Sequence, residues 1–138
     1  MNQNEIRSRV NVLVSNGNKF VLIFRHKNGQ DYYAIPGGGV EVGESSEKAA
    51  LREIQEELGF SLENVQKISE VKSDSRHDYN FLAETPDTNF IVTGPEKNHL
   101  NNPNDLFQPQ WHTRATFRRD IPIYPESARE MFASFINQ

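Results

Sequence analysis

The sequence predicts an α+β fold, an α/β/α sandwich with a mixed β-sheet between helices, from three observations. Two runs rich in Val, Ile and Phe, residues 6–14 and 19–27, flank a turn signal; a strongly patterned helix covers 46–58; an amphipathic helix closes the chain. Strands outnumber helices, and no repeat, linker or compositional break divides the 138 residues, so one domain over 1–138 is expected.

Taken in order, "IRSRVNVLV" and "KFVLIFRHK" are joined by "SNGN", with Gly17 free to take positive φ, and form a hairpin. A second turn, "NGQD" (28–31), leads into a short strand "YYAI" (32–35), which Pro36 ends. Glycines 37–39 follow, then the helix, with Ser45 or Ser46 to cap its start and Gly59 to leave it in a left-handed conformation. "VQKISEVKS" (65–73) and "HDYNFLAET" (77–85) read as two more strands. Residues 86–110 hold four prolines and five asparagines and read as a long irregular loop, with one short strand at "NFIV". Trp111 opens a further short element, and Pro125 starts the last helix, "PESAREMFASFI".

Composition excludes several classes. With 36% apolar and 25% charged residues the chain suits a polar-surfaced globule, and with no cysteine it has no disulfide, zinc-thiolate site or thiol nucleophile. "MNQNEIRSRV" lacks the apolar core of a signal peptide, and the longest apolar runs are too short to span a membrane, so a cytoplasmic protein is expected. A net charge of −4 without a basic block argues against stable nucleic-acid binding. An anionic ligand would then need a mobile cation to help hold it.

The helix carries a candidate site for one. At about 100° per residue, with Arg52 as origin, Glu56 falls at about 40°, Glu53 at about 100° and Glu57 at about 140°, beside an apolar stripe of Ala50, Leu51, Ile54 and Leu58. Like charges at these spacings repel, and acids at a helix C-terminus oppose its dipole. A solvated charged face is the plain alternative, but such a face would gain from Lys or Arg at position 57, where the chain has Glu. A stripe of hard oxygen ligands for a divalent cation accounts for the crowding, with a carbonyl of the Gly37–Gly39 loop as a further ligand. Arg52 would fix the direction of a carboxylate.

Gly38, Glu44, Arg52-Glu53-Ile54, Glu56-Glu57 and Gly59-Phe60, at their spacings, resemble the Nudix box at every specified position. The preceding strands and "IPGGG" are also similar to that family. The resemblance implies a Nudix fold and Mg²⁺-dependent hydrolysis of a nucleoside diphosphate linked to another group, with Mn²⁺ as a substitute ion. It assigns Gly38, Glu53, Glu56 and Glu57 to the metal and Arg52 to orienting Glu53; members place the general base differently, and Glu53 is the candidate for it here. Glu44 matches the box's first glutamate, with a structural role. Many members add an acid outside the box; here Glu96, Asp105 and Glu84 are the candidates.

For a small nucleotide substrate, Arg25 is the candidate phosphate contact, with His26 and Lys27 beside it at the end of the second strand. Tyr33 is the candidate for stacking on a base, with Tyr32, Tyr79 and Phe81 as alternatives; the plain reading of all four is packing. His77, His99 and His112 show no metal-ligand spacing, and Trp111 reads as core. Substrates in view are nucleoside triphosphates, ADP-ribose-like sugars and dinucleoside polyphosphates; a homodimer is an open alternative to a monomer. The rival class is a non-catalytic Nudix nucleotide sensor, which the intact box disfavours. A diphosphate-ester isomerase on the same fold would use a cysteine that this chain lacks.

Overall fold

The computed structural model describes residues 6–118 and 121–136; the first part of the segment read as lacking an apolar leader, residues 1–5, lies outside them. The elements are β1 (Arg7–Asn16), β2 (Lys19–Lys27), β3 (Gln30–Ala34), β4 (Gly37–Gly39), α1 (Ser46–Leu58), β5 (Gln66–Lys72), β6 (Arg76–Glu84), β7 (Asp105–His112), β8 (Ile123–Tyr124) and α2 (Glu126–Ile136). Short 3-10 turns cover Pro95–His99 and Arg114–Arg118.

The strands join one mixed sheet in the order β5-β6-β1-β2-β3-β8, with β4 on β1 and β7 on β2. β1 runs parallel to β6 and β3 parallel to β8; the other pairs are antiparallel. The first hairpin holds β1 to β2 only at Ser15↔Phe20 and Asn16↔Lys19. Below it β1 pairs instead with the glycines of β4, Val10↔Gly38 and Asn11↔Gly37.

Alternation along the strands sorts the core to two faces. Val10, Val12 and Val14 of β1 with Phe81 and Ala83 of β6 bury Ala50, Ile54 and Leu58 of α1. Leu13, Leu22 and Tyr33 pack on the other face under Ala128 and Phe132 of α2. Each such wholly buried Leu, Ile or Phe contributes about 1.5–3 kcal/mol relative to exposure. The result is the expected sandwich, an α+β fold with one helix on each face.

Three boundaries differ from expectation. The second turn is Asn28-Gly29 alone, at φ 56° and 74°, so β3 begins at Gln30; a two-residue Asn-Gly turn matches strand twist. Residues 89–92 form no strand; the Ile91 N–H instead serves the Leu58 carbonyl at the end of α1. The expected loop also stops early: β7 starts at Asp105 and Trp111 lies near its end. Pro109 is accepted there because β7 is an edge strand, with β2 as its one sheet partner among the described residues.

Candidate active site

Local rules set α1. Ser45 Oγ accepts the Lys48 N–H at 3.1 Å, and Gly59 leaves the helix at φ 78°. A side chain at Gly59 would also lie 2.6 Å from the Ile91 carbonyl oxygen, so glycine is required twice over. The chain crossing there uses its N–H groups as helix caps: Ile91 donates to the Leu58 carbonyl at 2.9 Å, and Thr93 and Gly94 to that of Glu56 at 2.8 and 3.1 Å. These donors satisfy carbonyls left open at a helix end and offset part of the negative potential around the glutamates. The long connection is thus pinned to the acidic end of α1.

The glycines of β4 press on the helix's acidic stripe. A Cβ at Gly38 would stand 2.5 Å from the Glu53 carboxyl carbon. The Gly37 N–H donates to Glu57 Oε1 at 3.1 Å, and Glu57 is only 8% exposed. Burial pushes the Glu57 carboxyl well above the usual carboxylate range and the Glu53 charge pushes it further, while the Gly37 N–H and Arg9 act the other way. Burial also raises Glu53, against the stabilising bond from Arg52.

Arg52 ties the site together. It grips Glu44 bidentately, Nε to Oε2 at 2.8 Å and Nη2 to Oε1 at 3.0 Å. Nη2 also donates to the Gly39 carbonyl at 2.9 Å, and Nη1 to Glu53 Oε1 at 2.9 Å and Glu56 Oε2 at 3.5 Å. The fork to Glu44 holds that carboxyl below the usual range and Arg52 above its own. Gly38, Glu44, Arg52, Glu53, Glu56 and Glu57 are therefore one cluster. The side chains do not converge on a single point. Glu53 and Glu56 are turned onto Arg52 and Glu57 onto Gly37, and among the described residues no three acidic or imidazole groups enclose an ion position.

The other candidates are placed differently. Arg25 is 12% exposed at its side chain and paired, with Asp105 at one amino group and Glu96 Oε2 3.5 Å from the other. Its guanidinium also lies over Phe107, 5.4 Å from the ring centre. Lys27 Nζ is 3.9 Å from Asp105. Tyr33 faces α2, edge-on to Phe24 at 5.8 Å and His112 at 4.7 Å, on the opposite side of the sheet from the glutamates. Tyr32 packs on Tyr124, Tyr79 on His77, and Phe81 is in the core. His77 meets Glu70, and His99 stands 3.4 Å from Asp105. Trp111 stacks with Phe60 and Phe90 and donates Nε1–H to the Thr88 carbonyl, bracing the long connection.

Among the acids outside the helix, Glu84 pairs with Ser15, about 16 Å along β1 from the Gly38 register. Asp105 is engaged by Arg25. Glu96, its side chain 36% exposed and next to the pinned segment, is the one whose charge Glu57 feels. A cavity of about 940 Å³ lies beyond the other end of β1 and β6, lined by Leu13, Glu84 and Phe135 but by none of the helix glutamates. The sequence reading missed Arg9, although its alternation with Val10 and Val12 was visible; the position was read only as strand.

The family model of the NUDIX domain matches residues 5–135. A protein named RNA pyrophosphohydrolase from Teredinibacter turnerae is 40% identical over 60 residues, covering 44% of this chain and 35% of that one. Its namesake from Acinetobacter baylyi is 31% identical over 91 residues, covering 66% of this chain and 54% of that one. The chain thus matches between a third and about half of the length of these relatives. Among solved structures, a MutT from work on Aliivibrio salmonicida and Vibrio cholerae superposes with TM-score 0.72 at 21% identity, covering 96% and 97% of the two chains. A NUDIX-family hydrolase from Clostridium perfringens gives 0.71 at 19%, covering 96% of each.

Proposed function

We propose, from the premise that this chain belongs to the NUDIX family, that it is a single-domain pyrophosphohydrolase cleaving a nucleoside diphosphate linked to another group, with Mg²⁺. The observation that carries this reading is Glu57. It is a nearly buried carboxylate, beside two further carboxylates, whose one hydrogen-bond donor among the described residues is a neutral N–H. No cation among the described residues bonds to it directly, and hard oxygens are what Mg²⁺ prefers.

Glu53, Glu56, Glu57 and the Gly38 carbonyl would hold the ion, and Glu96, whose charge acts on Glu57, is our choice for an acid from outside the helix. The ion, when bound, neutralises the anhydride and acidifies a water. Glu53 accepts the water's proton at Oε2, which receives no hydrogen bond from a described residue while Oε1 is held by Arg52. The water oxygen bonds to phosphorus as the bridging anhydride oxygen leaves with its electron pair. Arg25 contacts phosphate only after exchanging an acid partner for it.

Arg52 acts by position. Lysine keeps the charge but not the fork that spans Glu44, Gly39 and Glu53. Arg52→Lys is expected to lower kcat about 10–100-fold with KM little changed; unchanged kcat would remove Arg52 from the mechanism.

The function is tested by phosphate release from nucleoside triphosphates, ADP-ribose, dinucleoside polyphosphates and a 5′-triphosphorylated oligoribonucleotide, with Mg²⁺, Mn²⁺ or chelator. The oligonucleotide is included because relatives carry the name RNA pyrophosphohydrolase. Turnover of at least one class, lost in chelator, is expected. Tight nucleotide binding with no turnover would favour the sensor reading. Among the described residues no helix is long and apolar enough to cross a membrane, and we place the enzyme in the cytoplasm.

A further inference from the structure

The sheet face turned toward α2 carries a buried polar row that no role above uses. Leu13 and Leu82 pack beneath α2, but two residues earlier on the paired strands stand Asn11 and Asn80, and before them Arg9 and Asp78. Asn11 and Asn80 are wholly buried and Asp78 is 5% exposed. Asn11 Nδ2 donates to Asp78 Oδ1 at 3.1 Å and to Asn80 Oδ1 at 3.0 Å. Arg76 holds Asp78 through Nε and Nη2 at 2.7 and 2.9 Å, and Asn80 Nδ2 donates to Ser69 Oγ at 3.1 Å. Such a connected row is rigid and costly to disturb.

The bonding of its buried members Asn11, Asn80 and Asp78 is complete, and the outer end differs. Arg9 Nε donates to Asn11 Oδ1 at 3.0 Å, which sets the guanidinium's direction, but its two terminal amino groups donate to no described residue. Across the strand Arg9 faces Gly39; directly opposed residues share a sheet face, and a side chain at Gly39 would meet nothing within 4 Å. Open space therefore adjoins a half-buried guanidinium with idle donors. Burial and the Arg76 charge both disfavour its charged form, while Glu57, Asp78 and Glu53 favour it. A guanidinium with both terminal amino groups idle suits an anion with several acceptor oxygens.

We infer that Arg9, aimed by Asn11, binds a phosphate of the substrate on the far side of β4 from Glu53. β4 is three residues long and has β1 as its one sheet partner among the described residues. A phosphate chain passing its open edge thus has the helix carboxylates on one side and Arg9 on the other. Arg9 would then discriminate ligands by the phosphate they carry there. The inference rests on the hydrolase reading for the word substrate, but its test needs no turnover.

Wild type, Arg9→Gln and Arg9→Lys are titrated in chelator with each of the four ribonucleoside 5′-monophosphates and with the matching nucleosides, by calorimetry or NMR. Metal affinity, in chelator-free buffer, and melting temperature are measured on the same three proteins. At least one monophosphate is expected to bind wild type about tenfold or more tighter than its nucleoside. Arg9→Gln should remove that margin and leave nucleoside binding unchanged, and Arg9→Lys should restore part of it. Equal monophosphate affinity in wild type and Arg9→Gln overturns the inference, as does the absence of any phosphate-dependent binding in wild type. Weakened metal binding with monophosphate affinity intact would also overturn it, making Arg9 a counter-charge to the carboxylates. Phosphate-dependent binding without hydrolysis in the screen above would refute the hydrolase reading and leave Arg9's role standing.

Discussion

Glu57→Gln is expected to reduce Mg²⁺-supported turnover by about 10³-fold or more, a loss of roughly 4 kcal/mol of transition-state stabilisation. The substitution keeps size and shape, and the amide oxygen can still accept the Gly37 N–H that Glu57 Oε1 receives at 3.1 Å. What disappears is one negative charge at the place where a cation must be held. Glu53→Gln should lose at least as much, since that residue is both a metal ligand and the base in the proposed mechanism. The measurement is kcat on whichever substrate class the screen selects, with circular dichroism to confirm the fold. Wild-type turnover in either variant would exclude that residue. A 10–100-fold loss reversed by excess metal would instead mark a supporting ligand.

The same substitution should have the opposite effect on stability when metal is absent. The Glu57 carboxyl is raised above its ordinary range chiefly by burial, then by Glu53. In chelator the folded state therefore holds more protons than the unfolded state between the ordinary Glu range and the raised value, so stability falls as pH rises through that window. Glu57→Gln removes this slope. Above the window it should be more stable than the parent by about 1 kcal/mol, or about 3–4 °C. Relief of repulsion from Glu53 and of the unfavourable charge near the helix end contributes a few tenths of that. With metal at about 100 times its dissociation constant the parent gains about 2.7 kcal/mol, and the order reverses. The reading is the crossover between chelator and metal across pH 5–9. If Glu57→Gln also melts lower in chelator, the carboxylate is holding the fold and the helix is not frustrated by it. Glu56 is a poorer test, because Arg52 stands 3.5 Å from it and a side chain at Gly94 would touch its Cβ at 2.9 Å.

Much of the fold was legible because its determinants are local. The helix from Ser46 to Leu58 was set by a serine cap, a 3.6-residue apolar stripe and a glycine at its end, each acting within a few residues. The hairpins followed from Gly17 and Asn28-Gly29. The connection after β6 is irregular as far as residue 104, as its proline and asparagine content predicts, but it has no strand at "NFIV" and it is not free of the core. Its N–H groups instead find partners on α1, distant in sequence. β8 is two residues whose pairing depends on Tyr33 and Ala34 already being in place, so no local pattern announces it.

The sequence by itself determined the carboxylate cluster, its arginine and the glycines that approach it, because all stand on one helix and the strand just before it, where spacing becomes geometry. Only the tertiary structure decided what distant strands bring to one another. It turned Tyr33 to the opposite face from the glutamates and paired Arg25 with Asp105 and Glu96. It also buried Asn11 against Asp78 and Asn80, across more than sixty residues of chain, and left Arg9 with idle donors. The reason is physical. A side chain's residue type states which bonds it can make, but whether those bonds are already taken depends on which strand lies beside it. That is set by packing the whole sheet between its two helices.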